Sequence, residues 1–164
     1  QRTDPEYDAH FSPDGKRLFI EIKCGREVIP QLERVLASSG KSPEQTPVIG
    51  FDFETVEEVK KRLPQLKVYW IVQLKQNKQT GRWQPDAGTL IRKAAGAALD
   101  GVDLGKIEAV DKTFVDKVKA AGLEIYCWTI NDEGEARRAS EIGFDGVTTD
   151  RPGWLRDRLS RIAP

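Results

Sequence analysis

The sequence is poor in several residue types, and each scarcity excludes a class of protein. Its 164 residues include 2 cysteines and 1 histidine, and neither Cys24 nor Cys127 belongs to a CxxC or Cys/His cluster of the kind that binds zinc. Two cysteines are too few for a disulfide scaffold, so we expect free thiols, which favour a reducing compartment such as the cytoplasm. His10 stands alone in an irregular N-terminal stretch, so this chain cannot supply a histidine acid/base pair.

An excess of charge and a long apolar run are absent as well. Lys and Arg number 26 and Asp and Glu number 26, so the formal net charge is zero. Phosphate recognition normally leaves a clustered excess of Lys and Arg, so we expect no nucleic-acid partner. No stretch approaches the roughly 18 to 20 apolar residues of a membrane span, and the acidic first residues do not resemble a signal peptide. We therefore expect no membrane span.

Methionine is missing altogether, even at position 1. We therefore expect a processed protein or a fragment of a longer one. A hydrophobic content of 38% is ordinary for a folded globular domain, and one domain is the expectation at this length.

What the sequence does contain is an alternation of short apolar runs and amphipathic segments. After an irregular segment at 1–17, the apolar runs predict strands at 18–23, 47–51, 68–73, 99–103, 123–130 and 144–149. Helical spacing of apolar residues predicts helices at 27–38, 54–63, 90–98, 114–121 and 133–142, and from 152 onward. Residues 75–85 form a long polar loop in this prediction.

This strict alternation of strand and helix predicts a parallel sheet. No Gly-rich phosphate-binding motif is present, which favours part of a (β/α)8 TIM barrel over a dinucleotide-binding fold. Six predicted strands fall short of eight. We therefore expect residues 18–164 to form the later β/α units of such a barrel, with its N-terminal strands absent from this chain.

The first predicted strand carries two charged residues on one face. Side chains alternate along a strand, so Glu21 and Lys23 share a face with Phe19 while the intervening apolar residues face the helices. Glu21 and Lys23 would then point into the barrel at the C-terminal ends of the strands, where barrel active sites lie. Two interpretations remain open: an ion pair that plugs the barrel, or a cation site built on Glu21.

Other residues fall near predicted strand ends. Phe51 and Trp128 could line the mouth of a pocket, although core packing is at least as compatible with their spacing. Asp103, Asn131 and Asp150 also lie at or just after strand ends. For these three residues capping or turn formation is the favoured interpretation over a role in chemistry.

Four ordered motifs make the chain recognisable from about residue 13 to its end. It resembles the glycerophosphodiester phosphodiesterase family in Leu-Phe-Ile-Glu-Ile-Lys from Leu18, Ile-Gly-Phe-Asp from Ile49, Gly-Leu-Glu-Ile-Tyr-Cys-Trp-Thr-Ile-Asn from Gly122 and Gly-Phe-Asp-Gly-Val-Thr-Thr-Asp-Arg-Pro from Gly143. The resemblance implies a TIM barrel that hydrolyses glycerophosphodiesters such as glycerophosphocholine to glycerol 3-phosphate and an alcohol, with a divalent cation, Mg²⁺ or Ca²⁺, as cofactor.

The resemblance also implies roles for individual residues. Glu21 matches a metal ligand of the family, and Lys23 matches a catalytic lysine beside the phosphate. Phe51 and Trp128 match aromatic positions around the substrate. The serine that commonly precedes the family's phenylalanine is Gly50 here.

Part of the family pattern is not found in this chain. A His-Arg pair, a Glu-x-Asp metal motif and a second catalytic histidine do not occur before Leu18. We therefore expect the chain by itself to be inactive, and to associate with itself or with another chain through the open edges of its barrel. The alternatives are a non-catalytic phosphate-binding or interaction protein derived from the same barrel, and another phosphate-handling barrel.

Overall fold

The computed structural model describes residues 16–160, which form two sheets, six α-helices and three short 3-10 helices. The strands are β1 (Ile20–Ile22), β2 (Val48–Gly50), β3 (Val68–Gln73), β4 (Lys75–Gln76), β5 (Trp83–Gln84), β6 (Gly101–Gly105), β7 (Glu124–Trp128) and β8 (Gly146–Val147). The helices are α1 (Ile29–Ser38), α2 (Phe53–Arg62), α3 (Ala87–Gly96), α4 (Lys112–Ala120), α5 (Glu133–Ile142) and α6 (Pro152–Ser160).

Six parallel strands form the main sheet, in the order β1-β2-β3-β6-β7-β8. Each strand pairs with the next one along the chain, apart from the small antiparallel hairpin β4–β5 that is inserted after β3. A helix lies in every crossover between strands of the main sheet. This is the order of successive units in a β/α barrel, so the predicted fold class is confirmed.

Between β3 and β6 the structure corrects two local predictions. The segment 75–85 is a hairpin and not a structureless loop, because the Asn77 side chain accepts hydrogen bonds from the backbone N–H groups of Gln79 at 2.9 Å and Thr80 at 3.0 Å and closes the turn. Helix α3 begins earlier than predicted, because Asp86 caps it by accepting a hydrogen bond from the backbone of Thr89 at 2.7 Å.

The core lies between the outer face of the main sheet and the helices. Outward-facing strand residues are buried against the apolar faces of the helices, and they include Val48, Val68, Val102, Ile125 and Cys127. Burying each aliphatic side chain of this size contributes about 1.5–3 kcal/mol before the loss of conformational entropy is counted. Both cysteines are free thiols, as predicted, Cys24 exposed and Cys127 buried.

The inner face of the sheet carries a layer of aromatic rings. Phe19 stacks on Tyr69 with ring centroids 5.9 Å apart, and Tyr126 meets both rings edge-on, at 5.7 Å from Phe19 and 5.1 Å from Tyr69. These residues come from three different strand segments, as layers do inside a barrel. The alternation that puts Phe19 on this face puts Glu21 there too.

Below this aromatic layer, at the N-terminal end of the strands, Glu124 is fully engaged. It accepts hydrogen bonds from the Tyr69 hydroxyl at 2.9 Å, the Tyr126 hydroxyl at 2.8 Å and the Lys67 ammonium at 3.0 Å. Burial acts to raise the pKa of Glu124, but these donors together outweigh it and hold that pKa below its ordinary value. Burial and the neighbouring carboxylate raise the pKa of Tyr69, so its hydroxyl stays a donor.

The two outer strands leave the barrel open. Among residues 16–160, β1 pairs with β2 alone and β8 pairs with β7 alone, and Phe19 remains 38% exposed. Self-association through these edges stays a prediction. None of the helices in this part of the chain has the length and hydropathy of a membrane-spanning segment.

A partly buried ion pair holds α2 against the bases of two strands. The Lys60 ammonium donates to Asp100 Oδ2 at 2.7 Å and to the carbonyls of Leu66 at 2.7 Å and Pro64 at 3.1 Å. The same carboxylate oxygen accepts the backbone N–H of Val68 at 2.9 Å. The two charged side chains are only 12% and 17% exposed. The Lys67 ammonium also lies 3.4 Å from Asp100 Oδ1, so loss of Lys60 takes from Asp100 the nearer of two cations.

We predict that Lys60→Met lowers the free energy of unfolding by about 1–3 kcal/mol, because Asp100 and two carbonyls lose a charged donor in a partly buried setting while Asp100 keeps Lys67 as a partner. Lys61→Met is the matched control, since the Lys61–Glu57 pair lies on the exposed side of the same helix and should contribute about 0.5 kcal/mol or less. Urea denaturation of both variants measures the difference. Equal losses would show that the partly buried pair contributes no more than the exposed one.

Candidate active site

Glu21 and Lys23 lie together at the edge of the sheet formed by the C-terminal ends of the strands. Glu21 is the central residue of β1 and Lys23 follows the strand. The Lys23 ammonium lies 3.5 Å from Glu21 Oε2, and the two side chains are 79% and 31% exposed. An ion pair this exposed contributes about 0–1 kcal/mol to stability. In the part of the chain that the structure describes, the pair is therefore not a buried plug.

Phe51 and Trp128 meet across the mouth of the open barrel. Their ring centroids are 5.5 Å apart and the rings are nearly perpendicular, at 84°. The indole N–H of Trp128 donates to the backbone carbonyl of Asp103 at 3.2 Å. Its ring lies against Gly105, where a Cβ atom would come within 2.9 Å of indole Cζ2. Only glycine at position 105 leaves room for the ring in this orientation.

Two cavities open on either side of this aromatic pair. One, of about 500 Å³, is lined by Glu21, Lys23 and Phe51. The other, of about 300 Å³, is lined by Gln73, Gly105, Trp128 and neighbouring loop residues. Sequence reasoning missed Gln73. The signal for it was present, because Gln73 is the polar last residue of an apolar strand.

Gln73 also lines a third cavity, of about 620 Å³, between the β4–β5 hairpin and α3. The hairpin therefore extends the wall of the candidate site beyond the end of β3. Its Lys75 and Gln84 are register partners and line this cavity together.

Asp103 does not cap a helix, contrary to the favoured interpretation of the sequence. It is the central residue of β6, because that strand runs over Gly101–Gly105 and not over 99–103. Val102 and Leu104 face the helices, so Asp103 faces the barrel interior, where it is only 5% exposed. Among residues 16–160 its Oδ1 atom has no hydrogen-bond partner. Burial, followed by the negative charge of Glu21, raises the pKa of Asp103 to about 7.

Asn131 and Asp150 bind each other, which also differs from the predicted capping. The N-cap of α5 is Asp132, whose side chain accepts the backbone N–H of Glu135 at 3.0 Å. Asn131 Nδ2 donates to Asp150 Oδ2 at 2.7 Å, and Asn131 Oδ1 accepts the Thr149 hydroxyl at 3.0 Å and the backbone N–H of Asp150 at 2.9 Å. Asn131 thus ties the loop after β7 to the loop after β8 at the rim of the site.

The carboxylate oxygens of the site could form part of the ligand set of a cation. Carboxylate oxygens are the preferred ligands of Mg²⁺ and Ca²⁺, and the buried Asp103 oxygen without a partner shows that the interior has unused acceptor capacity. Residues 16–160 do not contain a group of three or more His, Cys, Asp or Glu side chains arranged to hold a metal ion. His10 lies outside the described residues. Cys127 is buried in the core that faces the helices and lies away from the barrel interior, and burial raises the pKa of its thiol to about 12.

The raised pKa of Asp103 predicts a pH-dependent stability of the metal-free chain. The unfolded chain releases this proton near the ordinary value of 3.8 and the folded chain near 7. Stability contributed by the protonated carboxyl is therefore fully present below about pH 4 and is lost as the pH rises toward about 7. Asp103→Asn removes this slope, so the variant should exceed the wild type above about pH 7 by an amount on the order of 2–4 kcal/mol.

Urea denaturation over a pH series, with a chelator present, measures this slope. Asp116→Asn is the control, because Asp116 lies on the exposed face of α4 and pairs with Lys112. Identical pH profiles for the wild type and Asp103→Asn would contradict the prediction.

Known proteins resemble the chain in sequence and in fold. A model of the glycerophosphoryl diester phosphodiesterase family matches residues 12–154. Human lysophospholipase D GDPD1 is 44% identical over 52 residues, which is 32% of this chain and 17% of the human protein.

Two solved structures show the same fold. A phosphodiesterase from Oleispira antarctica, in complex with the product sn-glycerol-3-phosphate, superposes with a TM-score of 0.68 at 21% identity, covering 89% of this chain and 56% of that one. A glycerophosphodiester phosphodiesterase from Parabacteroides distasonis gives 0.69 at 18% identity, covering 88% and 58%. The chain thus spans little more than half the length of these two enzymes. With the family model matching most of its length, the chain belongs to the glycerophosphoryl diester phosphodiesterase family.

Proposed function

We propose that this chain supplies the later β/α units of a metal-dependent phosphodiesterase that hydrolyses glycerophosphodiesters to glycerol 3-phosphate and an alcohol. The observation that carries the proposal is the position of Glu21 and Lys23, an adjacent carboxylate and ammonium at the C-terminal edge of a family barrel. In barrel enzymes catalytic side chains come from this edge.

Each side chain has a part in this chemistry. A divalent cation in the site would supply Lewis-acid polarisation of the phosphodiester. Glu21 would hold that cation, since its carboxylate faces the barrel interior. The Lys23 ammonium, largely exposed beside Glu21, would face the phosphate oxygens and stabilise the negative charge that develops on them.

The aromatic pair would position the glycerol end of the substrate. The edges and faces of Phe51 and Trp128 offer apolar contact to glycerol carbons, while the carboxylate and the ammonium hold the polar end. Phe51 is 50% exposed, so its ring is accessible from the cavity that Glu21 also lines. The described residues include no histidine, and we propose that proton transfer to the leaving alcohol depends on residues outside them.

Glu21→Gln tests the cation role. In the protein that carries this chain with the remaining β/α units, it should lower kcat/KM for glycerophosphocholine by about 10²-fold or more and weaken Mg²⁺ or Ca²⁺ binding. Glu57→Gln is the control, since Glu57 pairs with Lys61 on the exposed face of α2. Normal turnover and normal metal affinity in Glu21→Gln would overturn the assignment. Binding of glycerol 3-phosphate without any hydrolysis by that protein would support the non-catalytic alternative.

Lys23→Met distinguishes transition-state stabilisation from an ion-pair role. The variant keeps most of the aliphatic stem and removes the charge, so kcat/KM should fall by roughly 10²-fold. The melting temperature should stay unchanged, because the ion pair is exposed and contributes little. An unchanged kcat/KM with a lowered melting temperature would show instead that Lys23 acts through the ion pair.

A further inference from the structure

Asp103 is a buried carboxyl group with an unused oxygen. It is 5% exposed, and Oδ1 has no hydrogen-bond partner among the described residues. More than about nine in ten buried polar groups in folded proteins are hydrogen-bonded, because an unsatisfied one costs about 1–3 kcal/mol. This exception therefore requires an explanation.

The register of the strands places Asp103 inside the barrel just below Glu21. Phe19, Tyr69 and Tyr126 form one layer of side chains through their ring contacts. The inward residues two positions further along the same strands, which include Glu21 and Trp128, form the next layer toward the C-terminal edge. Asp103 comes from the strand between β3 and β7, so its side chain enters the interior between these two layers.

The donors around Asp103 are engaged elsewhere. The hydroxyls of Tyr69 and Tyr126 both donate to Glu124. The indole N–H of Trp128 donates to the backbone carbonyl of Asp103 and not to its carboxyl group. Lys23 lies beside Glu21, with its side chain largely exposed. Among residues 16–160, these donors are therefore not available to Asp103 Oδ1.

A cation is the partner that this environment favours for the Asp103 carboxyl group. Strand order and register place Asp103 on the interior side of Glu21, so the two carboxyl groups face the same part of the barrel. A buried carboxylate oxygen without a hydrogen-bond partner is unfavourable unless a positive ion lies beside it. Carboxylate oxygens are what Mg²⁺ and Ca²⁺ bind in proteins.

We propose that Asp103 is a second carboxylate of the cation site, holding the divalent ion together with Glu21 from the interior side of the barrel. The inference rests on the proposed function, because it takes the cation site at Glu21 as given. It adds a ligand from β6, which β2 and β3 separate from the strand that carries Glu21.

Terbium(III), which binds oxygen ligands as Ca²⁺ does, provides a test on the 164-residue chain itself. Excitation of the indole of Trp128 should sensitise terbium emission, because this ring is hydrogen-bonded to the Asp103 backbone. With only two carboxylates from this chain, we expect a dissociation constant on the order of 10⁻⁴ to 10⁻³ M. Asp103→Asn should weaken binding by about tenfold or more, and Asp116→Asn should leave it at the wild-type value.

A second measurement does not depend on luminescence. Added Ca²⁺ should raise the melting temperature of the wild-type chain more than that of Asp103→Asn, because only the wild type gains the second ligand. Far-UV circular dichroism of the metal-free variant establishes that it is folded, and the loss of the buried charge favours that outcome.

Glu21→Gln separates failure of this inference from failure of the proposed function. Wild-type terbium affinity in Asp103→Asn, together with a loss in Glu21→Gln, would leave the cation site in place and remove Asp103 from it. Wild-type affinity in both variants, or no site-specific emission from the wild-type chain up to about 10 mM terbium, well above the expected range, would overturn both assignments.

Discussion

The one-sided burial of the parallel sheet is the constraint on which the rest of this molecule depends. Helices cover one face, so the outward position of every strand must be apolar, and Val48, Val68, Val102 and Ile125 meet that requirement. Strand residues alternate, so every polar group of a strand must then face the barrel interior or lie at a strand end. Glu21, Asp103 and Glu124 all face inward for this reason, and the chemistry of the site follows from where along the strands each one lies.

Two carboxyl groups in the barrel interior, those of Glu124 and Asp103, differ in how fully they are hydrogen-bonded. At the N-terminal end of the strands, Glu124 receives hydrogen bonds from Lys67, Tyr69 and Tyr126, so its charge is compensated and the arrangement stabilises the fold. On the other side of the aromatic layer, Asp103 keeps an unsatisfied oxygen at a cost in stability. This division matches the general separation in β/α barrels between a stability face and a functional face.

The rim of the site depends on contacts between loops from different units. The Phe51–Trp128 contact joins the ends of two strands that are not neighbours in the sheet, and Gly105 gives the indole ring its space. Asn131 joins the last two loops. The chain spans little more than half the length of the two solved structures that share its fold.

The sequence by itself determined the unit order, the fold class and the inward direction of Glu21 and Lys23, because each of these follows from local periodicity. It also carried the family motifs. The tertiary structure alone decided what a strand-end polar residue does. Asp103 is interpreted as a cap when its strand is predicted at 99–103, two residues too early. The register of β6 with β3 and β7 shows that Asp103 lies within the strand and faces the barrel interior. From the sequence, Asn131 is interpreted as a cap, and only the fold brings Asp150, in the loop after β8, into hydrogen-bond contact with it. The Phe51–Trp128 contact, the role of Gln73 in two cavities and the engagement of Glu124 depend on strands far apart in the chain, and local pattern contains no information about which distant side chains will meet.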